Sequence, residues 1–124
     1  MAEEAKKILS ARDILSASDQ KRELVEVEEW GGCVYVSSLS AATRDTYEGS
    51  LVRMHGREVE MVTNNARAKL LALTLVDEAG NRLFTDTQIE QLGGKNGEVV
   101  DRLYKTAQRL SGMTPESVKT LAKN

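Results

Sequence analysis

The stretch Asn64 to Phe84, NNARAKLLALTLVDEAGNRLF, is the most apolar part of the chain and decides how the rest is arranged. Ala66, Leu70 and Leu73 fall at i, i+4 and i+7, with Ala68, Ala72 and Val76 as a second row and Leu71 and Leu75 as a third. A segment apolar on nearly every side is expected at the centre of a core. Leu and Ala outnumber Val, Ile and Thr, which predicts a helix instead of a buried strand of the same length. Asn64 or Thr63 is expected to cap its start. Asp77-Glu78-Ala79-Gly80-Asn81 should end it in a polar turn, with Gly where the backbone needs a positive φ. Arg82-Leu83-Phe84 then reads as a short extended piece carrying the only Phe.

A hairpin is predicted upstream. From Glu23 to Ser38 the pattern alternates, with Val25, Val27, Val34 and Val36 on one side of the strands. Taking Gly31-Gly32 as a two-residue loop places Val27 opposite Val36, Glu28 opposite Tyr35 and Trp30 opposite Cys33. The valines then face the core. Trp30, Cys33 and Tyr35 share the other face with Glu26 and Glu28. Either a helix covers that face, or it is an exposed aromatic patch edged by acid that binds a partner chain.

The remaining segments read as helices with short links. Ser10 caps a short helix whose Ile14 and Leu15 are expected inward, after a polar segment 1–9 expected to be disordered. Ser40 caps a helix through Arg53, with Tyr47 and Leu51 on one stripe and an Arg44–Glu48 pair outside. Met54 to Val62 fits a short strand or a flexible loop. Thr85-Asp86-Thr87-Gln88 is a capping box before Ile89, and Gly93-Gly94 stops that helix. Asn96 caps the next helix, with Val100, Leu103, Ala107 and Leu110 inward and Gly112 at its end. Thr114-Pro115 starts a last helix through Val118 and Leu121.

At 124 residues the chain reads as one domain, and a net charge of −2 gives it no electrostatic pull toward nucleic acid or an anionic membrane. The single Cys33 excludes an intrachain disulfide. No stretch reaches the ~20 apolar residues of a membrane span, and MAEEAKK lacks the apolar core of a signal peptide.

No constellation of reactive residues is legible. His55 is the only histidine and has no nucleophile beside it in sequence. One Cys and one His cannot build a structural zinc site, and Asp77 to Asn81 lacks calcium-loop spacing. Glu26 with Glu28, and Glu58 with Glu60, sit on strand faces that normally meet water. Arg102, Lys105 and Arg109 share their helix with Glu98 and Asp101, which speaks against a DNA-reading helix. The expectation is a protein that is not an enzyme and uses no cofactor and no metal.

Several pieces occur in a familiar order. The acidic strand into Trp30-Gly31-Gly32 is followed by Val34, Val36 and SAATRDTYE (40–48). Arg67-Ala68, Leu75-Val76-Asp77-Glu78 and Gly80-Asn81-Arg82-Leu83-Phe84 make a central segment. Ile89, Leu92-Gly93, Lys95, Arg102-Leu103 and Ala107-Gln108-Arg109-Leu110 come after it. In this order, from about Ser10 to Met113, the pieces resemble the phage tail assembly chaperones of long-tailed bacteriophages. The resemblance implies a non-enzymatic protein of the infected or lysogenic bacterial cytoplasm that is absent from the mature virion. Its implied partners are the tape measure protein, which it keeps soluble, and the tail tube protein, which it recruits. A structural neck or tail-completion protein retained in the virion is the alternative.

The fold expected is α+β, an N-terminal β-hairpin packed by its valine face on a mostly helical single domain. Its core is expected to hold Val25, Val27, Val34, Val36, Leu51, Leu70, Leu73, Val76, Leu83, Phe84, Leu103, Ala107 and Leu110. Leu73→Ala is expected to cost on the order of 2–5 kcal/mol. Trp30, Cys33 and Tyr35 are the candidate partner-binding residues. The oligomeric state is not encoded in any readable pattern.

Overall fold

A computed structural model describes residues 6–113. The apolar stretch does form the central helix, α3 (Ala66–Thr74), in which Leu70, Leu71 and Ala72 are wholly buried. It is shorter than its composition suggests. Leu75 turns extended (φ −80°, ψ 118°), and Leu75–Val76 become a strand, β5, instead of a further helical turn. No side chain caps the start of α3. Asn65 adopts a left-handed conformation (φ 57°), and the Ala66 amide donates to the Thr63 carbonyl at 3.1 Å. The polar turn after β5 is as expected: Asp77 Oδ1 accepts from the Ala79 and Asn81 amides at 2.9 Å, and Gly80 has φ +89°. The chain then doubles back, with Val76 bridged to Arg82 and the Leu83 amide donating to the Leu75 carbonyl at 3.0 Å.

The hairpin consists of β1 (Arg22–Val27) and β2 (Gly32–Ser37), and β5 joins the far side of β2 to give the order β1-β2-β5. All of its pairings are antiparallel. Its register differs from the expectation. Val27 lies opposite Gly32, Val25 opposite Val34, and Glu23 opposite Val36. Glu28–Trp30 form a single 3₁₀ turn at the tip, closed by Gly31 at φ +76°. The slip spans an even number of residues, so the side chains that stay in the strands keep their faces. Val27 and Val36 are wholly buried, and Val25 and Val34 pack on the same cluster.

That difference is measurable. A two-residue loop of type I′ needs positive φ at both glycines, whereas here only Gly31 has it. Gly31→Ala is therefore expected to cost about 1–2 kcal/mol, and Gly32→Ala well under that. Equal losses in urea melts of the two variants would restore a two-residue loop of type I′.

α3 and α5 (Gly97–Leu110) lie on the valine face. α5 packs against α3, β1 and β2, and α3 also touches α4 (Ile89–Gly93) and α2 (Ala41–Ser50). The fold is α+β, with an N-terminal hairpin on a largely helical body. The caps predicted for the other helices hold. Ser40 accepts from the Thr43 amide at 3.2 Å, Thr85 and Gln88 form a capping box, and Asn96 accepts from the Glu98 and Val99 amides. Gly112 ends α5 with φ +66°.

Three further expectations are corrected. α2 stops at Ser50, and Val52–His55 pair with Glu58–Met61 as a second hairpin, β3–β4, so the ambiguous segment is a strand pair with Gly56 in its turn. Leu83 is 46% exposed and outside the core, because the bridge to Val76 turns it outward while Phe84 packs inward. Leu73 is half-buried on the flank of α3 and packs against the core cluster, as Val25, Val34, Phe84 and Leu110 do. Ile14 and Leu15, in α1 (Ala11–Ser16), are 58% and 86% exposed. The Ser10–Asp13 capping box forms as read, yet no residue of α1 is buried. The helix expected through Val118 and Leu121, and residues 1–5 of the N-terminal segment, lie outside the described residues.

Candidate partner-binding surface

Trp30, Cys33 and Tyr35 do not form one face. The hairpin register puts Cys33 opposite Glu26 and Tyr35 opposite Leu24, on the side of the sheet turned away from the helices. Cys33 is exposed, Leu24 is 56% exposed, and Tyr35 is half-buried beneath the Arg22 guanidinium, 4.3 Å from its ring centroid. Arg22 is itself held by a 2.7 Å bond from Nη1 to the Glu78 carbonyl. This outer face is a small apolar patch fixed at one edge by a stacked arginine.

Trp30 leaves that face because it belongs to the 3₁₀ turn and not to a strand. Its ring packs against the core cluster and lines a groove of about 520 Å³ with Glu29, Phe84, Gln91, Leu92 and Lys95. The Lys95 ammonium lies 6.0 Å from the indole centroid. The only Trp and the only Phe of the sequence thus meet at one depression, between the hairpin tip and α4. No sequence pattern links them, since Trp30 reaches the groove only through the tip geometry and Phe84 only through the β5 return. Their rarity in a chain with 4% aromatics was the one available hint.

The tip is tied to the body by charge. Arg102 on α5 donates to Glu29 Oε1 at 2.8 Å, and Arg109 donates to both Glu23 oxygens at 2.9 Å. The hydrogen bond from Arg102 holds the Glu29 carboxyl below its ordinary 4.5, and Glu29 in turn raises Arg102. A depressed carboxylate pKa means that this tether is whole at neutral pH and is lost only as pH falls through the lowered value. Lys105 pairs with Asp101 at 3.1 Å. All the basic residues suspected of reading DNA on α5 are therefore engaged within the protein. His55 stands on β3 and meets Glu60 at 2.5 Å on an exposed strand face.

No group of three or more His, Cys, Asp or Glu able to hold a metal ion occurs among the described residues. No described helix is long and apolar enough to cross a membrane. What the surface offers is apolar area. Ile8, Leu9, Ile14 and Leu15 are exposed along the N-terminal arm, Leu24 on the hairpin and Met54 on β3.

The fold is shared with a solved protein. The structure titled "Structure of bacteriophage HK97 tail assembly chaperone" aligns over 83% of this chain and 94% of that one, with a TM-score of 0.58 and 22% sequence identity. A comparison with curated protein sequences finds no match. The profile of the family described as "Phage tail assembly chaperone" matches residues 10–124, from the Ser10 cap to the last residue. With nearly the whole sequence matched and the hairpin-on-helices architecture in common, this chain belongs to the phage tail assembly chaperone family.

Proposed function

We propose that the protein binds the tape measure protein of its phage during tail morphogenesis, keeps it soluble, and helps bring tail tube subunits to it. The family is one of assembly chaperones, a non-enzymatic role with protein partners. The observation that carries the finer reading is the exposure of bulky apolar side chains on separate surfaces of a small body, at Ile8, Leu15, Leu24 and Met54. A long apolar helix aggregates until something covers it, and several small sites of this kind can cover it reversibly. The work belongs in the host cytoplasm, and the protein does not remain in the virion.

Trp30, Cys33 and Tyr35 are proposed as contacts, on two surfaces and not one. Trp30 serves the groove, and Cys33 with Tyr35 serves the outer hairpin face. Co-expression with the tape measure protein tests the function: the tape measure is expected in the soluble fraction only when the chaperone is present. Stoichiometric chaperone in purified virions would favour a neck or tail-completion role instead.

A further inference from the structure

Resting on that partner-binding reading, we infer that the groove under the hairpin tip accepts an amphipathic helix with a bulky apolar anchor and a lysine or arginine on the same face. The anchor site is the apolar space between Trp30, Phe84 and Leu92. Its about 520 Å³ is enough room for a large side chain and its neighbours. Through Glu29 the groove runs into a second depression of about 260 Å³, lined by Glu26, Glu28, Glu29 and Arg102. Arg102 is matched by Glu29 at 2.8 Å. Glu26 and Glu28 stand in no ion pair among the described residues, so with one arginine among three carboxylates this end carries net negative charge beside the apolar slot. A segment that fills the slot brings its next turn over these carboxylates, where a cation is favoured and a carboxylate is repelled. Lys95, the groove's own cation, lies 6.0 Å from the Trp30 ring centroid, so the negative character is confined to the Glu26–Glu28 end.

The chain has one tryptophan, so indole emission reports on this groove alone. Two Trp-free amphipathic peptides with the same leucine anchors are titrated into the full-length protein, one with Lys and Arg on the anchor face and one with Glu there. The basic peptide is expected to shift Trp30 emission to the blue and to bind about fivefold or more tightly than the acidic one. Glu26→Lys with Glu28→Lys should abolish or reverse that preference. Both positions are exposed, and circular dichroism confirms that the double variant folds. Equal affinities, or binding without any change in emission, would overturn the inference. So would emission that depends on protein concentration without peptide and is cured by Leu15→Asp, since the arm of a second copy would then occupy the groove. Pull-down separates this from the chaperone reading. A tape measure protein solubilised equally by wild type and the double variant sinks the groove specificity alone, whereas one solubilised by neither sinks the function.

Discussion

Truncation of Leu70 to Ala is expected to destabilise the protein by about 2–5 kcal/mol, measured by urea denaturation. Leu70 is wholly buried in the middle of α3, the helix that touches α5, α4, α2 and the sheet, so the void left behind has walls on several elements. Those walls cannot all collapse together, which places the cost toward the upper part of the range. Leu70 also carries the carbonyl that accepts from the buried Thr74 hydroxyl at 2.9 Å, a contact the substitution leaves intact. The comparison with Leu73 gives the test its edge. The sequence assigns Leu73 the same core role, yet the structure leaves it half-buried. Leu73→Ala should therefore cost clearly less than Leu70→Ala. Equal losses would mean that α3 is rotated from the position described here.

At high pH the expected behaviour is dominated by Tyr47. Its side chain is 1% exposed, and its hydroxyl makes no well-aligned hydrogen bond, with only the Tyr104 phenol near it. Burial first, and the neighbouring Tyr104 phenol second, push its pKa well above the ordinary 10.0. The folded state thus holds the phenol neutral at a pH where the unfolded chain releases its proton. The stabilising difference is whole below about pH 10 and is lost as pH rises further, by about 1.4 kcal/mol per pH unit. Tyr47→Phe removes this liability. At pH 7 the variant is expected to match wild type or exceed it by about 1 kcal/mol, because a buried hydroxyl with no well-aligned partner is removed. Above pH 10 the gap should widen. Parallel stability curves for the two proteins between pH 8 and about pH 11 would show that the hydroxyl has a partner or reaches water.

Much of the architecture is local and therefore readable. Ser10, Ser40, Thr85 and Asn96 cap where their side-chain chemistry says they should, since a cap depends on residues within one turn. Gly80 and Gly112 mark helix and strand ends for the same reason, through a backbone conformation that other residues reach only with strain. The valine face of the hairpin survived a wrong register because alternation has period two and the slip was even.

What failed was whatever depends on a distant partner. Leu75 and Val76 have helical neighbours and an apolar pattern that suits either structure, but β2 presents an unpaired edge, and its hydrogen bonds decide for strand. Ile14 and Leu15 read as core because apolar side chains normally find cover, and nothing in six residues of sequence says that the body of the protein is out of reach.

The amino-acid sequence alone thus determined the class of fold, the face of the hairpin that is buried, the helix starts and the absence of a readable reactive constellation, because each rests on periodicity or on chemistry within a turn. Only the tertiary structure parted Trp30 from Cys33 and Tyr35 and brought it beside Phe84. That decision lies in a tip of three residues and a two-residue strand, whose conformations are set by long-range pairing and packing, which no local pattern specifies.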